Sequence, residues 1–225
     1  MKTIKDIRVY KSEKQNEYGT YITEQFADKP LNVMLTRIVM KLRENDFYLE
    51  DFDHLYLNFT LCDIENGMQL SDKVDRYHPW YRYCNIQINQ DLYAKLGTDT
   101  AHKEIISFVE KCLVTYFASV DFDREFIHSC INEAISKGEN MLMKFKEKLS
   151  AKRRAVLYLR CNDNCKFVPL LQVYDTEGNL LFETDLPEML TLDSRGEIRL
   201  SDKKVTIKPR KNVFSKNLEP MVFEY

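Results

Sequence analysis

The chain has 225 residues, 44% hydrophobic and 30% charged, enough apolar material to bury a core without metal or disulfide staples. Its 33 basic and 35 acidic residues give a net charge of −2, which argues against a protein whose whole surface is built for nucleic acid. No stretch approaches the roughly 18 apolar residues of a membrane span, and MKTIKDIRVYKSEKQ lacks an apolar run of signal-peptide length, so the expectation is a cytosolic protein.

The opening IKDIRVY is β-permissive, and the polar stretch around Gly19 reads as a loop or hairpin turn. From Pro30 the period changes. Leu31, Met34, Leu35, Ile38, Val39 and Leu42 recur at helical spacing, with Asp28 as a start signal and Pro30 suited to the first turn. In HLYLNFTL, Leu55, Leu57, Phe59 and Leu61 alternate with Tyr56, Asn58 and Thr60, the pattern of a half-buried strand. Asn66-Gly67 signals a turn, and YRYCNIQI reads as a second strand, in a hairpin with the first or beside it.

Between about residues 99 and 149 the chain reads as helical. Ile105, Ile106, Val109, Leu113, Tyr116 and Phe117 mark one apolar face, and Phe126, Ile127, Cys130, Ile131, Ala134 and Ile135 a second. Gly138 marks a stop or kink before Met141, Leu142, Phe145 and Leu149 extend the pattern. After SAKRRA the strand candidates are AVLYLRC, FVPLLQVYD, NLLFET, EIRLS and KKVTIKP, with Asp175 to Asn179 as a hairpin connection. The expected fold is α+β: a mixed or antiparallel sheet with amphipathic helices on one face and a β-rich C-terminal part. It reads as a single domain over 1–225, with a possible subdivision into 1–150 and 151–225.

Few residues suggest chemistry. Cys161 and Cys165 bring two thiols close, but no second pair completes a zinc site, and His54, His78, His102 and His128 are scattered. Together with Cys62, Cys84, Cys112 and Cys130, these thiols read as reduced packing residues. Six glycines leave no phosphate-binding loop, and Asp121 and Asp123 read as a helix cap rather than a metal pair. No catalytic residue, metal or cofactor is assigned, although an enzyme with dispersed catalytic groups stays open.

Charge is distributed unevenly. Residues 1–150 hold 20 basic and 24 acidic residues, a net −4, and residues 151–225 hold 13 and 11, a net +2. From Glu44 to Asp72 there is no Lys or Arg, while eight acids occur, Glu50, Asp51, Asp53, Asp63 and Glu65 among them. Such a run is either a solvated face or a field that steers a basic partner. RYHPWYRY supplies Arg76, Trp80 and Arg82, residue types that anchor interfaces or close over a core. The basic stretches KFKEKLSAKRR and KKVTIKPRK offer a nucleic-acid alternative, or only solvated strand and helix ends.

The acidic LEDFDHLYLNFTLCDIENG segment, the many aromatics and the lack of an active-site motif together resemble bacterial immunity proteins of polymorphic and contact-dependent toxin systems. The resemblance implies tight binding to a cognate protein toxin, often a basic nuclease, whose active site is blocked or covered. The partner-binding candidates are then Glu50, Asp51, Asp53, Asp63, Glu65, Arg76, Trp80 and Arg82.

Overall fold

The computed structural model describes residues 1–14, 20–21, 28–189, 195–211, 213, 215 and 217–225. The turn expected around Gly19 lies outside them. The fold is α+β, and the chain divides into two compact units, Met1–Gly138 and Glu139–Tyr225.

In the first unit the strands β1 (Asp6–Ser12), β2 (Thr20–Tyr21), β3 (His54–Thr60), β4 (Met68–Leu70) and β5 (Tyr81–Gln87) form one sheet in the order β2-β1-β3-β5-β4. The three central strands are parallel, and each edge strand is antiparallel to its neighbour. β3 and β5 are therefore parallel neighbours and not the two arms of a hairpin. β4 intervenes in the chain and returns on the far side of β5.

Helix α1 (Lys29–Glu44) begins where Asp28 accepts the Leu31 N–H at 3.1 Å, satisfying one of the free donors of the first turn. It ends with Asp46 in the left-handed region at φ 58°. There the Asp46 and Phe47 N–H groups donate to the Arg43 and Leu42 carbonyls, a closure that most often uses glycine. α2 (Gln90–Lys95), α3 (His102–Phe117) and α4 (Arg124–Lys137) follow β5, with Asp123 capping α4 through the Phe126 N–H at 2.8 Å. α4 packs on both α1 and α3. The rings of Phe59 and Phe108, 5.5 Å apart, set α3 against the apolar face of the sheet.

Register fixes what the two faces carry. Val9, Leu57 and Cys84 stand in one row, and Tyr10, Asn58 and Asn85 in a row on the opposite face. The alternation in HLYLNFTL predicts a half-buried strand, but both faces of β3 are buried: Tyr56 is 1% exposed, Asn58 3% and Thr60 0%. The second face is polar and aromatic. Tyr56 lies 4.6 Å from Tyr81, 5.5 Å from Tyr83 and 5.6 Å from Tyr10 between ring centroids, and Asn58 Nδ2 donates to Asn85 Oδ1 at 3.0 Å. Asn58 Oδ1 has no hydrogen-bond partner among the described residues, so this face carries part of the cost of removing an amide from water.

The second unit is built of two antiparallel sheets. One has the order β6-β7-β8-β9, from β6 (Met143–Leu149), β7 (Arg154–Cys161), β8 (Phe167–Tyr174) and β9 (Leu180–Asp185). The other has β10 (Arg195–Leu200), β11 (Lys204–Pro209) and β12 (Met221–Glu224) in that order. A core of Leu157, Leu171, Val173, Ile198, Val205 and Ile207 joins them. Gly196 sits at an irregularity in β10 where a Cβ would come within 2.8 Å of the Pro209 carbonyl oxygen.

One expected element is corrected here. α4 stops at Gly138, and the segment containing Phe145 and Leu149 is strand β6 rather than a continued helix. The strand itself alternates as MKFKEKL, but Met141 and Leu142 just ahead of it complete a helical spacing with Phe145 and Leu149.

Candidate functional site

The acidic run does not form one surface. Glu50, Asp51 and Asp53 precede β3, whereas Asp63 and Glu65 follow it, so the seven residues of the strand hold the two groups about 20 Å apart. Glu50 and Asp51 are exposed at a turn closed by the Phe52 N–H on the Leu49 carbonyl, with Glu50 at φ 53°. Asp63 accepts a hydrogen bond from Gln87 Nε2 at 3.0 Å, and Glu65 is exposed.

Asp53 differs from its neighbours, being only 4% exposed. Lys5 Nζ donates to its Oδ2 at 2.8 Å, and His54 Nδ1 lies 2.5 Å from Oδ1. Burial alone would raise its pKa, but the hydrogen bonds and charges of Lys5 and His54 hold the carboxyl below its ordinary range. Asp53 is therefore an internal counter-ion, not a free surface acid.

Parallel pairing of β3 with β5 brings the aromatic segment to the same end of the sheet as Glu50 and Asp51. The Asp53 N–H donates to the Trp80 carbonyl at 3.1 Å, and His54 is the register partner of Tyr81. Arg82 carries its guanidinium 5.0 Å above the Phe52 ring and donates to the Ser71 carbonyl at 3.1 Å, which makes it a brace for the 71–80 loop. Asp75 Oδ1 accepts the N–H groups of Tyr77 and His78 within that loop. Arg76 is exposed there, as are Val74 at 65% and Tyr77 at 77%. His78 stacks on Tyr81 at 4.7 Å and meets Trp80 edge-on at 5.4 Å. Six of the eight sequence candidates thus lie at one end of the sheet, and Asp63 and Glu65 lie at the other.

Val74 is the contributor that sequence reasoning passes over, because an exposed Val in a polar loop has no periodicity to mark it, whereas Tyr77 lies within RYHPWYRY. The basic stretches of the second unit are largely engaged with nearby groups. Lys146 Nζ donates to the Arg195 and Gly196 carbonyls, Lys152 pairs with Asp202, Arg154 with Glu147, and Lys208 with Glu197. Among the described residues no three His, Cys, Asp or Glu side chains gather as metal ligands would, and no helix is long and apolar enough to cross a membrane. No protein-family model, curated protein or solved structure matches the chain.

Proposed function

We propose that the chain is an immunity-type binding protein that neutralises a cognate basic toxin by covering it with the β3/β5 end of the first unit. The observation that carries this reading is the convergence of two separate sequence signals, the Glu50–Asp51 turn and the Arg76–Trp80 loop, through the Asp53 to Trp80 backbone bond. Exposed Tyr77 and Val74 flanked by carboxylates and arginines have the composition of an interface in which a few aromatic anchors carry most of the energy and surrounding charges set the approach. Asp53 and Arg82 serve it from below, by holding the turn and the loop in place.

The test is co-purification from the host, identification of the captured protein by mass spectrometry, and kinetics of the isolated pair. Glu50→Lys with Asp51→Lys should slow association and reduce its salt dependence. Tyr77→Ala should chiefly speed dissociation, about tenfold or more for an anchor contributing above 1.4 kcal/mol. Asp63→Lys with Glu65→Lys, at the other end of the strand, should leave both rates unchanged. If that last variant alone weakens binding the surface is misassigned, and if no toxin is captured the reading fails altogether.

A further inference from the structure

A cavity of about 680 Å³ opens beside this end of the sheet, lined by Lys2, Thr3, Lys5, Arg43, Asp53 and Trp80. Its frame is backbone. The Lys2 N–H donates to the Glu50 carbonyl at 2.7 Å, Ile4 to Phe47 at 2.9 Å, Lys5 to Asp53 at 2.6 Å, and Asp53 to Trp80 at 3.1 Å. Four of the lining residues are thereby fixed on adjacent chain segments, and Arg43 reaches the cavity from the last turn of α1.

The lining is strongly cationic. Lys2, Lys5 and Arg43 face a single carboxylate, Asp53, which already serves Lys5 and His54, so the wall carries a net charge of +2. Among the described residues no ion pair is formed by Lys2 or Arg43, and Lys2 Nζ stands 5.9 Å from the centroid of the Trp80 ring. Two cations without carboxylate partners match the two negative charges of a phosphate monoester, and the guanidinium fork suits its oxygens. The volume exceeds what a bare phosphate needs and falls in the range of small-molecule pockets, about 300–1,000 Å³. Trp80 lines the same cavity with Lys2 Nζ over its ring, and an indole is a side chain on which bases stack.

We infer that this cavity binds a nucleoside monophosphate, with Lys2 and Arg43 on the phosphate and Trp80 against the base. The site belongs to the isolated chain and does not depend on a protein partner. Trp80 is the single tryptophan of the sequence, so its emission reports on this cavity alone.

Adenosine monophosphate, adenosine and inorganic phosphate are each titrated into the full chain, following Trp80 emission and, independently, the heat of binding. Adenosine monophosphate should bind at least about tenfold tighter than either fragment, and weaken as salt rises. Lys2→Ala with Arg43→Ala should weaken it about tenfold, with an unchanged melting profile because neither side chain belongs to the core. Lys152→Ala with Arg153→Ala in the second unit should leave it unchanged. Equal binding of adenosine would overturn the phosphate assignment, and equal binding of inorganic phosphate the nucleoside assignment. Undiminished binding by the folded Lys2/Arg43 variant, or no binding of any of the three, would remove the site.

Discussion

β3 and β11 are written in the same alternating code and end in opposite surroundings. In β11, Val205 and Ile207 enter the core of the second unit while Lys204 is exposed and Thr206 and Lys208 are partly exposed. In β3, Leu55, Leu57 and Phe59 are buried on one face, and Tyr56, Asn58 and Thr60 are equally buried on the other. Both strands are central in their sheets, so the difference lies in the residues beside them: on its second face β3 meets Tyr10, Tyr83 and Asn85 of the adjacent strands. Alternation therefore reports that a strand has two unlike faces, and only its neighbours decide whether the second face meets water.

Substitutions can break this comparison. The largest effect is expected at Phe59, fully buried against Phe108: Phe59→Ala should cost about 3–5 kcal/mol in denaturant unfolding. The second expectation concerns Asp53, whose pKa is lower in the folded chain than the unfolded value of about 3.9. Its stabilisation is full above the unfolded value and is lost as pH falls through the folded one. Asp53→Asn should therefore cost about 1–3 kcal/mol at pH 7, and the gap between variant and parent should close on titration toward pH 2. A gap that stays constant with pH would show that shape, not charge, is what Asp53 contributes. The smallest effect belongs to β11, where Thr206→Ala should change stability by no more than about 0.5 kcal/mol. A Thr206 cost comparable to that of Phe59 would mean that the outer face of β11 is also covered.

What the sequence reveals follows the range of the interactions involved. Asp28 and Asp123 are legible as caps because each bonds an N–H three residues on, and β7, β8 and β11 are legible from their own residues. β6 is not, because Met141 and Leu142, which precede the strand, stand at spacings from Phe145 and Leu149 that imitate a helix. The candidate surface is half legible. Both of its segments stand out in composition, but their meeting depends on parallel pairing across the intervening β4, for which no local signal exists. The cationic cavity is invisible in the sequence, since Lys2, Lys5, Arg43, Asp53 and Trp80 are brought together only by the completed sheet and helix. The run of eight acids misleads for a related reason: proximity along an extended strand becomes separation in space.

The strand order also dictates a sequence of events when the chain folds. In the four-stranded sheet of the second unit every strand pairs with its neighbour in the chain, from β6 through β9. The first unit must instead bring Asp6 to His54 and His54 to Tyr81 before either parallel ladder can form. Closing those longer loops costs entropy before any contact repays it, so non-local sheets assemble more slowly than local ones. Pulse-labelled hydrogen exchange during refolding should find β7 and β8 protected while β1 and β3 still exchange. The reverse order would show that α1 and its neighbours organise the first unit ahead of its sheet. The late-forming strands are those that position Asp53 and Trp80, so the proposed binding surface would be among the last parts of the molecule to exist.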